Sequence, residues 1–87
     1  MTTEEQFVDA QKRVKNLSAP PSTEHLLELY ALYKQGTEGD VQSKRPGMLD
    51  IKGRAKYDAW ASKKSVAKEA AMQSYVALVN KLGAKYG

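Results

Sequence analysis

A chain of 87 residues has room for one compact domain with one site, but not for a catalytic domain with a separate substrate lobe. With 41% apolar residues and 3 prolines the composition excludes a disordered chain, and the absence of cysteine excludes disulfides, thiolate metal sites and cysteine nucleophiles. The net charge of +4 is unevenly placed, because Lys44 to Lys68 carries a balance of +6 and the remainder −2; that concentration suits an anionic partner or a solvated lysine-rich face.

The N-terminus is polar and acidic and no apolar run approaches membrane-spanning length, so a cytoplasmic protein is the expectation. Thr2 with Glu5, or Thr3 with Gln6, forms a capping box that starts helix 1. Phe7, Ala10, Val14 and Leu17 then recur at helical spacing as the buried face, with Lys15 at its edge. Ser18-Ala19-Pro20-Pro21-Ser22 stops the helix. The connection is short, so helix 2 returns antiparallel.

Ser22 or Thr23 caps helix 2, in which Leu26, Leu27, Leu29, Tyr30, Leu32 and Tyr33 make more than half the circumference apolar. Such a helix either touches two neighbours or keeps part of its surface for a ligand. Tyr30, Tyr33 and Lys34 fall three and four apart and are expected on one face, two rings beside an ammonium. Gly36 and Gly39 are expected to end the helix. The Gly36 to Met48 segment is long for a compact bundle, which permits a crossover and a helix 3 parallel to helix 2. Met48, Leu49 and Ile51 read as apolar anchors of that loop.

Helix 3 is expected over about Ile51 to Ser62, with Ala55, Ala59 and Trp60 inward and Lys52 and Lys56 together on one face. Ser65 reads as the cap of helix 4, whose Met72, Tyr75, Val76, Val79, Leu82 and Tyr86 form an amphipathic stripe, with Gly83 weakening its last turn. No strand pattern, internal repeat or low-complexity segment occurs.

His25 is the sole histidine, so multi-histidine metal sites are impossible, and no nucleophile elbow, Walker sequence or dinucleotide fingerprint is present. An enzyme is not expected. Three clusters remain: Tyr30, Tyr33 and Lys34 on helix 2, Lys52 and Lys56 on helix 3, and Tyr75 on helix 4. Rings and lysines suit a nucleotide carrying extra phosphate, and they equally suit single-stranded nucleic acid. The residue types alone do not separate these two, and a protein-interaction bundle is a third class.

The stretch Tyr30-Ala-Leu-Tyr-Lys-Gln-Gly36, the run from Lys44-Arg45-Pro46-Gly47-Met48-Leu49-Asp50 through Trp60, and Lys68-Glu69-x-Ala71-Met72-x-x-Tyr75 together resemble the acyl-CoA-binding protein family nearly end to end. The resemblance implies one all-α domain over residues 1–87, a four-helix bundle of up-down-down-up topology with a long helix 2 to helix 3 crossover. It also implies a non-enzymatic, monomeric carrier of medium- and long-chain acyl-CoA esters, with no cofactor, no metal, no nucleic-acid partner and at most transient membrane contact. Carried over by position, Tyr30 and Lys34 would hold the CoA 3′-phosphate and Tyr33 and Lys56 would flank the adenine. Lys15, Lys52 and Tyr75 would lie near the phosphates or the pantetheine and thioester end, and Leu26, Leu27 and Leu29 would wall the acyl groove. Tyr57, Lys63 and Ser65-Val66-Ala67 depart from the common pattern without removing a ligand contact.

Overall fold

The computed structural model describes residues 1–86, without the side chain of Tyr86, so that member of the expected α4 stripe lies outside the described residues. Four helices follow one another: α1 (Thr3–Val14), α2 (Thr23–Glu38), α3 (Ile51–Ala61) and α4 (Lys68–Tyr86). The capping box forms at Thr2, whose hydroxyl accepts from the Glu5 N–H at 3.1 Å while the Glu5 carboxylate accepts from the Thr2 N–H at 3.0 Å. Thr3 is left to donate to Glu69 of α4. Helix α1 ends at Val14, a turn before the prolines, with Lys15 as C-cap; the Asn16 side chain donates to the Lys12 carbonyl and so competes with continuation of the helix.

Side-chain pairs fix the directions. Thr3 meets Glu69 and Arg13 meets Asn80, so α1 and α4 run parallel. Gly36, near the end of α2, lies against Met72, near the start of α4, so these two are antiparallel. Lys56 over Tyr30 and Trp60 beneath Lys34 set α3 parallel to α2. The topology is the expected up-down-down-up arrangement with a long crossover. Helix α2 packs against both α3 and α4, α1 packs against α4, and α3 packs against α2 alone.

Phe7, Ala10, Leu29, Leu32, Ala71, Tyr75, Val79 and Leu82 form the core, with Val14, Leu17, Met72, Val76 and Leu78 packed around it. Ala10, Ala31 and Ala71 are fully buried at positions where small side chains let helices approach. Gly36 does not end α2. It sits inside the helix and is buried, where a Cβ would meet Met72 Cγ at 3.1 Å. The helix ends instead at Gly39, whose φ of +82° is the left-handed value that glycine adopts without penalty.

Two further expectations are corrected. Met48, Leu49 and Ile51 do not anchor the crossover: they are 79%, 100% and 77% exposed. Polar groups hold that loop, since Arg54 Nε donates to the Pro46 carbonyl at 2.9 Å and Arg45 makes a two-pronged ion pair with Asp58 at 3.0 and 2.8 Å. Ser65 does not cap α4. With φ +76° its N–H points to Asp40 Oδ1 at 2.8 Å, and the helix begins at Lys68. Trp60 turns inward to α2 as expected, with Ala55 and Ala59 half-buried like it, and no α3 residue is fully buried.

Polar tethers fasten α3 and its flanking turns to α2. Trp60 Nε1 donates to the Gly39 carbonyl at 2.8 Å, and Lys63 pairs with Glu28 at 2.6 Å. Gln35, fully buried, donates through Nε2 to Asp40 Oδ1 and to the Val66 carbonyl, both at 2.8 Å. The Gln35 and Ser65 donors hold the Asp40 carboxyl below the usual aspartate range.

Two predictions follow from this packing. Gly36→Val lowers stability by about 1–3 kcal/mol, since the added methyls force α2 and α4 apart. Gly83→Ala raises it by about 0.5–1 kcal/mol, because among the described residues a Cβ there meets nothing within 4 Å; urea unfolding of both variants measures the contrast. Asp40→Asn keeps the side chain's shape and removes its charge. Because the native value is depressed, the charge stabilises the fold above the unfolded value of about 3.9. That contribution is lost as pH falls through the native value, so the deficit of the variant at pH 7 closes in acid, as melting curves across the range will record.

Candidate functional site

Because α1 packs on α4 and α3 packs on α2, one strip of α2 has no covering helix. It opens as a groove of about 360 Å³ lined by Val14 and Lys15 from the end of α1, Pro21 from the connection, Leu26, Leu29, Tyr30 and Tyr33 from α2, and Tyr75 from α4. Leu29 and Tyr75 are buried and form the floor, whereas Leu26 and Tyr33 stand at the rim. Phe7 supports the aromatic part from below, its ring 5.0 Å from Tyr75 in edge-to-face contact and 6.0 Å from Tyr33. Burial pushes the Tyr75 phenol above its ordinary value, with the proximity of Tyr33 adding to the shift, so the hydroxyl stays protonated and able to donate at neutral pH.

The cations are distributed around this groove. Lys56 places its ammonium 5.4 Å from the centroid of the Tyr30 ring. Lys52, one turn earlier on α3, is exposed. Lys15 lines the groove from the end of α1. Lys34 is near enough to Tyr30 and Tyr33, as expected, to interact electrostatically with both, and it also lines a depression of about 470 Å³ with Glu38, Asp40, Gln42, Ser43 and Trp60. There it donates to Glu38 one turn on and lies 4.9 Å from the centroid of the Trp60 ring. The hydrogen bond that Lys34 donates to Glu38 raises the Lys34 pKa against the opposing effect of burial, which keeps the ammonium charged.

The structure therefore brings Tyr30, Tyr33, Tyr75, Leu26, Leu29 and Lys15 together in one groove and sets Lys56 against it. Lys34 stands in the neighbouring depression and Lys52 a turn farther along α3. Leu27 is half-buried and does not line the groove. Trp60 and Glu38, which the sequence reading did not assign to a site, are the partners of Lys34. Glu38 was detectable as its (i, i+4) neighbour, but Trp60 lies 26 positions away with no local signal.

Chemically, the arrangement offers flat rings, ammonium groups and an apolar trough, and no nucleophile with a base. The Ser22 hydroxyl lies 3.1 Å from His25 Nδ1, but it is the N-cap of α2 and accepts the His25 N–H at 3.2 Å. Among the described residues no group of three or more metal-ligating side chains occurs, and no helix is long and apolar enough to cross a membrane.

Comparison with known proteins bears directly on this geometry. The family model described as acyl CoA binding protein matches residues 4–79. The acyl-CoA-binding protein homolog 1 of Caenorhabditis elegans is 56% identical over 81 residues, covering 93% of this chain and 94% of that one. The homolog of Drosophila melanogaster is 48% identical over 82 residues, covering 94% and 95%. Among solved structures, the acyl-CoA-binding protein 2 of Oryza sativa superposes with a TM-score of 0.92 at 38% identity, covering 97% of this chain and 93% of that one. The protein from Moniliophthora perniciosa gives 0.90 at 36% identity, covering 98% and 83%. With its four helices in the same arrangement and its sequence matched almost end to end, the chain belongs to the acyl-CoA-binding protein family, a family of non-enzymatic binders.

Proposed function

We propose that this chain, as a single domain over residues 1–87, binds medium- and long-chain acyl-CoA esters and carries or buffers them in the cytoplasm as a monomer without turning them over. The observation that carries the reading is the juxtaposition of an apolar groove with a cluster of rings and cations along the uncovered strip of α2. A long-chain ester has the complementary parts: an apolar tail, an adenine and several phosphates. In this reading Tyr30 and Lys34 hold the 3′-phosphate, and Tyr33 and Lys56 flank the adenine. Lys15, Lys52 and Tyr75 serve the remaining phosphates and the pantetheine and thioester end. The acyl chain runs along Leu26 and Leu29, and the folded head group shields it from water.

No cofactor or metal takes part, and contact with membranes is no more than transient. The nucleic-acid alternative is not favoured, because a phosphate-tracking surface has no use for the leucine-floored trough beside the rings.

Each buried methylene contributes up to about 0.8 kcal/mol. Affinity measured by calorimetry therefore rises from free CoA through longer esters until the groove is full; equal affinities for CoA and palmitoyl-CoA would contradict the mechanism. At the head group, Lys34→Ala or Tyr30→Phe removes a contact to a charged phosphate worth about 1.5–3 kcal/mol, a tenfold to more than hundredfold loss in affinity. Dephospho-CoA esters, which lack that phosphate, bind correspondingly more weakly to the wild type and lose little further in the variants.

A further inference from the structure

Lys34 meets its proposed anion already paired. Its ammonium is shared between the Glu38 carboxylate and the face of Trp60, at 23% and 53% side-chain exposure for Lys34 and Glu38. Asp40 lines the same depression, although its carboxylate is engaged by Gln35 and Ser65. Among the described residues Glu38 is thus the carboxylate bound to the Lys34 ammonium, and an arriving phosphate must either displace it or share the cation with it.

Helix electrostatics give Glu38 no structural reason to be acidic. It stands in the last turn of α2, where no basic residue offsets the partial negative charge of the helix end. The order Lys34 then Glu38 is also the weaker orientation for an (i, i+4) pair. A carboxylate placed against the dipole, in the poorer order and half open to water, forms a pair that opens easily. Asp50, by contrast, caps α3 through the Gly53 N–H, and Asp58 holds Arg45.

We propose that Glu38 is a specificity-determining residue of the head-group site: a built-in competing anion that Lys34 releases to a dianionic phosphate and retains against a hydroxyl. The inference rests on the reading of Lys34 as the 3′-phosphate contact. With Glu38 present, the site admits an ester only as far as its phosphate outcompetes the carboxylate. Absolute affinity is lowered and a weakly charged head group gains nothing from Lys34. Without Glu38 the ammonium, in the depression beside the groove, is left with the Trp60 ring and no carboxylate.

The test is calorimetric titration of wild type, Glu38→Gln, Lys34→Ala and the double variant with palmitoyl-CoA and palmitoyl-dephospho-CoA, each at low and moderate salt. Glu38→Gln should bind the phosphorylated ester about two- to fivefold more tightly, with the gain shrinking as salt rises. It should leave the dephospho ester unchanged and the melting temperature no lower than that of the wild type. The gain should vanish in the Lys34→Ala background, a non-additivity that a general change in surface charge would not produce. If the wild type discriminates between the two esters but Glu38→Gln binds both equally changed, both unchanged, or the phosphorylated ester more weakly, Glu38 is not a competitor and the proposal falls while the head-group reading stands. If the wild type binds both esters alike, the reading of Lys34 itself fails, and the role of Glu38 with it.

Discussion

The close approach of α2 to α4 is the constraint from which the rest of the molecule follows. It requires a residue without a side chain at Gly36, where a Cβ would come to 3.1 Å from Met72, and α4 itself carries a small, fully buried residue at Ala71. With α4 occupied on one side by α2 and on the other by α1, and with α3 laid along the far flank of α2, no helix remains to close over Leu26, Tyr30 and Tyr33. The groove is what an asymmetric packing of four helices leaves open. Its aromatic floor is also part of the core, because Phe7 touches both Tyr33 and Tyr75. Rigidity of the core and shape of the groove are therefore set by the same side chains.

Much of this was legible in the sequence because it depends on neighbours in the chain. The Thr2–Glu5 capping box, the Ser22 cap and the spacing of Phe7, Ala10, Val14 and Leu17 are local signals, and they place the helices correctly. The misreadings share a cause, which is that a distant partner decided the outcome. Gly36 reads as a helix breaker until α4 is seen to need the space. Ser65 reads as a cap until Asp40, from the crossover, draws its N–H and turns its backbone left-handed. Met48, Leu49 and Ile51 read as anchors because they are apolar, yet arginines secure the loop and leave them in water.

The site was legible to a similar depth. Tyr30 and Tyr33 share the groove as their spacing requires, and Lys56 comes to Tyr30 once α3 is parallel to α2. Lys34 shows the limit of helical spacing: it interacts with Tyr30 and Tyr33 as expected, but its long, flexible side chain also reaches Trp60, a partner that spacing does not reveal. Leu27 marks the same limit from the other direction, since an apolar residue beside groove-lining ones can face elsewhere on the helix. Periodicity assigns faces, and only packing assigns occupants.

Helix α3 has no fully buried residue and is secured chiefly by individual polar bonds: Trp60 to Gly39, Lys63 to Glu28, and the Gln35 amide reaching past it to Val66. Helices attached in this way open at a fraction of the free energy of global unfolding, because few apolar contacts must be exposed to release them. The molecule is thus divided between a tightly interlocked α1–α2–α4 body and a more lightly held flank that carries Lys52 and Lys56. That division concentrates local opening on the cationic side of the cleft, well below the free energy at which the hydrophobic body comes apart.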